Sequence, residues 1–121
     1  MQLEIFPQYF SVCKLQPGAT LPEGVCFFAR TDNELSLVCE TKNLPEATYA
    51  CENEWRMFRV SGALDFSLIG ILARITSILA EAGISVFCVS TYDTDYVLIK
   101  SEAFPKAIST LADNGYEIKH I

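Results

Sequence analysis

Apolar residues recur at every third or fourth position between residues 66 and 82, which is the clearest pattern in this chain. Such spacing places them along one side of an α-helix, with polar residues on the opposite side. Asp65 can cap the start of the helix, because its carboxylate can accept hydrogen bonds from the first unpaired amides. Gly83 suits the left-handed conformation in which many helices end. The pattern therefore predicts a long amphipathic helix from Phe66 to Ala82.

The residues around this helix have the patterns of strands and of a second, shorter helix. Short apolar runs flank a polar turn at 92–95, which is typical of a β-hairpin. Pro105 suits the first turn of the second helix, and Gly115 stops it. The order is β-α-β-β-α-β, an α+β fold of the ferredoxin-like type. We predict strands at 55–60, 86–89, 96–99 and 116–121 and the second helix at 104–114.

The N-terminal half lacks a pattern for a long helix. Pro17 and Pro22 leave room for no more than one helical turn between its first two apolar runs. We predict strands at 9–15, 25–30 and 34–40.

The two halves resemble each other in pattern. Residues 25–40 match residues 86–101 at a constant offset of 61, with a polar turn between two apolar runs. This similarity predicts a tandem repeat whose N-terminal copy has lost its first long helix. We predict a degenerate repeat at 1–54 and a complete one at 55–121. Because the degenerate copy leaves one sheet face poorly covered, we expect the copies to share a core, within the chain or across a dimer.

Composition and charge exclude several classes of partner. The 121 residues are 50% hydrophobic, which supports a folded core, and the formal net charge is −6. Nucleic acids and anionic membranes require clustered Lys or Arg, whereas the nine basic residues are scattered. No apolar run approaches the roughly 20 residues of a membrane span, and the N-terminus lacks a basic leader pattern. We therefore expect a cytoplasmic protein that binds neither nucleic acid nor membrane.

The sequence gives little support to catalysis or to a metal site. The five cysteines include no C-x-x-C pair, and the single histidine, His120, lies near the C-terminus. Reduced thiols that pack as small apolar groups are the favoured interpretation. Phosphate-binding glycine loops and nucleophile motifs are absent. We predict no enzyme activity, no catalytic residue, no metal and no cofactor.

Part of the sequence resembles the ACT domain family. The resemblance rests on Leu64-Asp65-Phe66, on Gly70-Ile71-Leu72, on Ala82-Gly83-Ile84-Ser85 and on the hairpin Ser90–Tyr96. More narrowly, the chain is similar to small tandem ACT proteins related to aspartate kinase regulatory domains and to cytosolic arginine sensors. The resemblance implies that an amino acid binds where two ACT copies set their sheets side by side. The N-terminal half lacks the D-F-x-x-x-G segment, which argues against a second complete pocket.

The resemblance also implies where the ligand binds. Gly70 and Asp95 match positions that line the pocket of the arginine-sensing relatives. The start of the long helix offers amide donors for a carboxylate, and Asp95 offers a negative charge for a cationic group. Arginine and lysine therefore fit better than other amino acids. The predicted ligand-binding residues are Asp65, Phe66, Gly70, Ile71, Thr91, Thr94 and Asp95.

Each of these residues also has a simpler structural interpretation. Asp65 can be a helix cap alone, and Gly70 can allow a helix to pack closely on a strand. However, a glycine inside a helix costs about 1 kcal/mol relative to alanine, which suggests a specific reason for it. Asp95 can be a solvated turn carboxylate, as we expect for Asp93.

We interpret the chain as a regulatory sensor domain that binds a small amino acid, forms a homodimer and acts on a protein that the sequence does not identify. The alternative is a dimerisation or protein-interaction module that binds no ligand. An enzyme would need a nucleophile and a base that the sequence does not offer.

Overall fold

The structure is a computed structural model that describes residues 1–62 and 69–121. These residues form eight strands and two α-helices. The strands are β1 (Gln2–Ile5), β2 (Phe10–Leu15), β3 (Cys26–Arg30), β4 (Leu35–Glu40), β5 (Thr48–Val60), β6 (Phe87–Ser90), β7 (Asp95–Lys100) and β8 (Glu117–His120). The helices are α1 (Ile71–Glu81) and α2 (Phe104–Asp113).

The chain packs as two compact units, which we describe separately. The helical unit consists of Met1–Pro7 and Arg56–Ile121, and the β-rich unit consists of Gln8–Trp55. β5 contributes residues to both units. The repeat boundaries predicted from the sequence, 1–54 and 55–121, stay a prediction. The two units are defined by how residues pack, and packing does not test whether the two halves arose by duplication.

The helical unit has the strand order β6-β7-β5-β1-β8. From β5 to β8 the chain follows the predicted β-α-β-β-α-β order, so the α+β, ferredoxin-like fold is confirmed. β1 was not predicted. It lies between β5 and β8, where Leu3 is opposite Val60 on one side and Ile118 on the other.

Both helices pack against this sheet through a shared apolar core. Residues of the strands alternate between the two faces, so the buried residues at odd positions of β7 face the helices and Leu98 faces the opposite side. No helix in the described part of the chain is long and apolar enough to cross a membrane. The fully buried members of the core include Leu3, Phe58, Val60, Ile75, Leu79, Val97, Ile99, Ala107 and Leu111.

The start of α1 differs from the prediction. The helix begins at Ile71 rather than Phe66, because Gly70 holds the N-cap position with a left-handed φ of 78°. Ile69 lies outside the helix and is 95% exposed, although it fits the apolar spacing of a longer one. The proposed cap Asp65 lies outside the described residues, as does Phe66, and the cap position belongs to Gly70. The helix ends at Glu81, within one residue of the prediction.

The β-rich unit has the strand order β3-β4-β2-β5 and contains no α-helix within Gln8–Trp55. Leu15, Leu37 and Cys39 form its buried cluster. The absence of a helix between β2 and β3 agrees with the prediction. After β4 a single 3-10 turn, Thr41–Asn43, stands where the helical unit has α2 after β7.

The two units contain hairpins with the same turn. The amide of Thr31 donates to the carbonyl of Glu34, and the amide of Thr91 donates to that of Thr94, both at 2.9 Å. In each turn the threonine Oγ1 also donates to the same carbonyl. The matching turns are 60 residues apart, so the predicted offset of 61 is wrong by one residue.

Candidate functional site

The hairpin turn of the helical unit is fixed to the end of β5. Thr94 is 7% exposed, and its Oγ1 donates a hydrogen bond of 2.8 Å to the carbonyl of Val60. Thr91 closes the turn through the two bonds to the Thr94 carbonyl. Because the Thr94 hydroxyl proton is engaged by Val60, this hydroxyl is available to a ligand only as an acceptor.

Asp95 is the first residue of β7 and is half-buried. It lies opposite Ser90, whose Oγ donates a hydrogen bond of 2.6 Å to Asp95 Oδ1. Strand alternation places Asp95 on the same face as Val97, which is the face that the helices cover. Among the described residues, no lysine or arginine forms a salt bridge with it.

The charge of Asp95 also acts on the neighbouring strand. Partial burial, and then the Asp95 carboxylate, raise the pKa of the Cys88 thiol above its ordinary value, although the Cys88 side chain reaches solvent. Asp95 therefore contributes a negative potential to the end of the hairpin.

The first turn of α1 provides the complementary polarity. Gly70 makes no side-chain cap, and the first turn contains no acidic residue. The amide end of a helix carries a partial positive charge that favours carboxylates. Apart from its chain neighbours, no atom of the described residues lies within 4 Å of a Cβ built at Gly70. Close packing of a helix on a strand therefore does not explain this glycine; its left-handed φ does.

The topology brings α1 and the hairpin turn to the same end of the helical unit. The five residues 82–86 connect the end of α1 to the start of β6. The start of β6 is the end of the hairpin opposite its turn, since Phe87 pairs with Leu98 and Ser90 with Asp95. α1 therefore runs away from the hairpin turn, and its first turn lies toward Asp95.

Five of the seven predicted ligand-binding residues lie in the described part of the chain. Thr91, Thr94 and Asp95 share the hairpin turn and the strand that follows it, and Gly70 and Ile71 begin α1 at the same end of the unit. Asp65 and Phe66 lie outside the described residues. All seven assignments stay predictions.

A cleft of about 190 Å³ opens on the other face of the same sheet end. Glu4 and Arg59 form an ion pair across it at 2.8 Å, and the hydrogen bond from Arg59 to Glu4 raises the pKa of the guanidinium. No sequence pattern pointed to this ion pair, because Glu4 belongs to β1, which was not predicted, and Arg59 was predicted only as part of a strand. Asp95 does not line this cleft, which is bounded by Glu4, Arg59, Val60, Gly62, Asp93, Thr94 and Tyr96.

The helical unit thus combines a ferredoxin-like fold with a polar hairpin turn at the end where its first helix begins. The family model described as ACT domain matches residues 50–113, which is more than half of the chain. The chain belongs to the ACT domain family.

Two curated relatives share a name that refers to arginine sensing. The human cytosolic arginine sensor for mTORC1 subunit 1 is 31% identical over 99 residues, which cover 74% of this chain and 30% of the sensor. The bovine protein of that name is 38% identical over 104 residues, which cover 78% and 31%. The chain thus spans about a third of the length of these relatives.

Solved structures agree on the fold. Protein Atu0741 from Agrobacterium tumefaciens has a TM-score of 0.86 and 29% identity, with 99% of this chain and 92% of that chain covered. The ligand-free regulatory subunit of aspartate kinase from Thermus thermophilus has a TM-score of 0.60 and 9% identity, with coverage of 93% and 96%. The second similarity is one of fold alone.

Proposed function

We propose that this ACT protein is a non-catalytic regulatory sensor that binds an α-amino acid at the end of the helical unit where α1 and β7 begin. Its membership of the ACT family supports a regulatory role that depends on amino acid binding. We further propose that it acts in the cytosol, as the name of the human relative says of that protein.

The environment of the half-buried Asp95 carboxylate is the observation that carries this proposal. A half-buried carboxylate usually has a cationic partner, because burial of an unpaired charge is unfavourable. Ser90 holds one oxygen of Asp95, and no cationic side chain of the described residues forms a salt bridge with it. A cationic group of a ligand would supply the missing charge.

The start of α1 would hold the other end of the ligand. Its amides lie toward the same end of the unit and carry a partial positive charge suited to the α-carboxylate. A ligand with a carboxylate at one end and a cation at the other fits these two polarities. Arginine and lysine have this form, and the relatives named as arginine sensors favour arginine.

A thermal-shift screen against the twenty amino acids tests the proposal. A ligand at about one hundred times its dissociation constant stabilises the folded state by about 2.7 kcal/mol, which gives a clear shift. We expect arginine or lysine to raise the melting temperature and glutamine, whose side chain is neutral, to have a smaller effect.

Asp95→Asn is the matched variant for this screen, because its amide oxygen can still accept the Ser90 hydrogen bond while the charge is removed. We expect it to weaken binding by about tenfold to a hundredfold, since a hydrogen bond to a charged group contributes about 1.5–3 kcal/mol. Asp93→Asn removes one charge from the same turn and should bind normally. Equal binding by wild type and Asp95→Asn would show that the site lies elsewhere.

The homodimer belongs to the same proposal. We propose that a second copy of the chain supplies the other wall of the site, so that ligand binding stabilises one arrangement of the pair that an unidentified protein partner detects. Sedimentation velocity should then show a larger dimer fraction with ligand than without. A dimer that forms equally well without any ligand, together with no thermal shift, would favour the alternative of an interaction module.

A further inference from the structure

Two cysteines of the β-rich unit face each other on neighbouring strands. Cys13 of β2 and Cys51 of β5 are direct partners in the antiparallel register, and their Sγ atoms lie 2.8 Å apart. Residues opposite each other in antiparallel strands have Cα atoms about 4.5–5.5 Å apart. Because a disulfide spans Cα separations of about 4.4–6.8 Å, the pair can be bridged without moving either strand.

The two thiols differ in exposure. Cys13 is 3% exposed, whereas Cys51 is only half-buried. Burial, and then the hydrogen-bond contact with Cys51, raise the pKa of the Cys13 thiol. A small oxidant therefore meets Cys51 first, and Cys13 stays protonated behind it as the second thiol of the pair.

We propose that Cys13 and Cys51 are an oxidation site that forms a reversible disulfide with a low-molecular-weight disulfide as the oxidant. The Cys51 thiolate attacks one sulfur of the oxidant, forms a mixed disulfide and releases one thiolate. Cys13 loses its proton and attacks Cys51 Sγ, which breaks the mixed disulfide and releases the second thiolate. The two protons from the cysteines end on the two released thiols, and the oxidant gains the two electrons that the cysteines lose.

A second cysteine pair in the same unit provides an internal comparison. Cys26 and Cys39 are also opposite each other, on β3 and β4. In the described part of the chain no hydrogen-bond contact joins their sulfur atoms, and Cys39 is fully buried. Burial raises the pKa of Cys39 to about 11, as it also raises the pKa of Cys13, so the contact between the sulfur atoms of Cys13 and Cys51 is what distinguishes the two pairs. We expect this pair to remain reduced where Cys13 and Cys51 react.

The position of the pair within the β2–β5 ladder gives the bond a consequence. The register shifts on both sides of it, between Phe10 and Val12 and between Lys14 and Leu15. Glu54 on β5, beside the first of these shifts, has a positive φ of 67°. Only a short run of regular pairing therefore holds the middle of β2 to β5, and a disulfide at its centre would fix that register.

Oxidised glutathione added to the reduced full-length protein tests the proposal. Non-reducing digestion and mass spectrometry should find one peptide linkage, between Cys13 and Cys51, with the loss of two hydrogens. Free thiols should fall from five to three. Dithiothreitol should restore all five.

The controls separate this pair from the other cysteines. Cys51→Ser should keep four free thiols with no internal linkage, and Cys26→Ser should still form the bond. Cys13→Ala should stop at a mixed disulfide between Cys51 and glutathione, with three free thiols. The wild-type oxidised protein should also melt several degrees above the reduced protein and show slower amide exchange in β2 and β5. A wild-type protein that keeps five thiols, or that links Cys26 to Cys39, would overturn the proposal. Unchanged melting and exchange in the linked protein would overturn the effect on register.

Discussion

At the scale of single residues, the polar side chains in and beside one hairpin turn make different contacts. Thr91 closes the turn, Thr94 attaches it to β5 through Val60, and Ser90 orients Asp95. Three of these side chains are thus engaged in holding the turn. Asp95 is the member whose charge has no salt bridge among the described residues, and its effect on the Cys88 pKa offers a way to measure that charge.

Alkylation of Cys88 should report the charge at position 95. A nearby carboxylate disfavours the thiolate, so Asp95→Asn should lower the pKa of Cys88 toward its ordinary value. The thiolate fraction at pH 8 then rises, and iodoacetamide should modify Cys88 faster than in the wild type. Peptide mapping by mass spectrometry gives the rate at Cys88 alone. Asp93→Asn is the control, and an equal or greater rate in that variant would contradict the assignment of the effect to Asp95.

At the scale of elements, α1 shows where a sequence pattern extends beyond a helix. Leu68 and Ile69 fit a helical spacing that continues from Ile71, yet Gly70 between them and the helix has a left-handed φ. The spacing of apolar residues indicates which side chains could share one face of a helix. It does not indicate the φ angle that a single glycine adopts. A glycine within a helical pattern is the available signal for such a break, since it is the residue that most readily adopts positive φ.

Substitutions at Gly70 test this helix start. Because a built Cβ has no contact within 4 Å to residues 1–62 or 72–121, Gly70→Ala changes the backbone preference without a steric clash with them. A left-handed conformation costs a residue with a Cβ about 1–2 kcal/mol, so urea unfolding should show a loss of about that size. Asn tolerates this conformation better, so Gly70→Asn should lose less. Equal stability of Gly70→Ala and the wild type would contradict the observed start of α1.

The hairpins show a second limit of sequence patterns. Polar turns and apolar strands predicted both hairpins at nearly their observed bounds, but the alignment of one on the other was wrong by a residue. Side-chain type varies between the turns, whereas the bond from Thr31 or Thr91 to a carbonyl three residues later is the same. The dipeptides Leu44-Pro45 and Phe104-Pro105 lie 60 residues apart in the sequence, which is also the offset between the two hairpin turns. An alignment of the two halves on these dipeptides would have matched the turns correctly.

At the scale of the whole molecule, the helical unit depends on a strand that is remote in sequence. β1 has four residues and no flanking turn pattern, so its sequence alone gave no prediction of a strand. β1 pairs with β5 and β8, which are distant from it in sequence, so a local sequence pattern does not contain the contacts that form it. The order of elements and most of the core were predictable from local patterns, whereas this long-range insertion was not.

Leu3→Ala should therefore destabilise the helical unit, although Leu3 lies more than fifty residues before most of that unit. Leu3 is fully buried in the core, and truncation of a buried leucine costs about 2–5 kcal/mol. Hydrogen exchange should show faster exchange in β5 and β8 than in the wild type. Gln2→Ala, on the same strand with a half-buried polar side chain, is the control and should change stability little. Normal protection of β8 in Leu3→Ala would contradict the role of β1.

In the proposed function, an amino acid binds between the start of α1 and Asp95. Amide chemical shifts of the labelled protein, measured by NMR during titration with arginine and then lysine, test it most directly. We expect the largest shift changes at residues 70–73 and 90–95, and Asp95→Asn should need about tenfold to a hundredfold more ligand to show them. Shift changes centred on Glu4, Arg59 and Tyr96 would place the ligand in the cleft on the opposite face and contradict the account, as would a spectrum that neither amino acid changes.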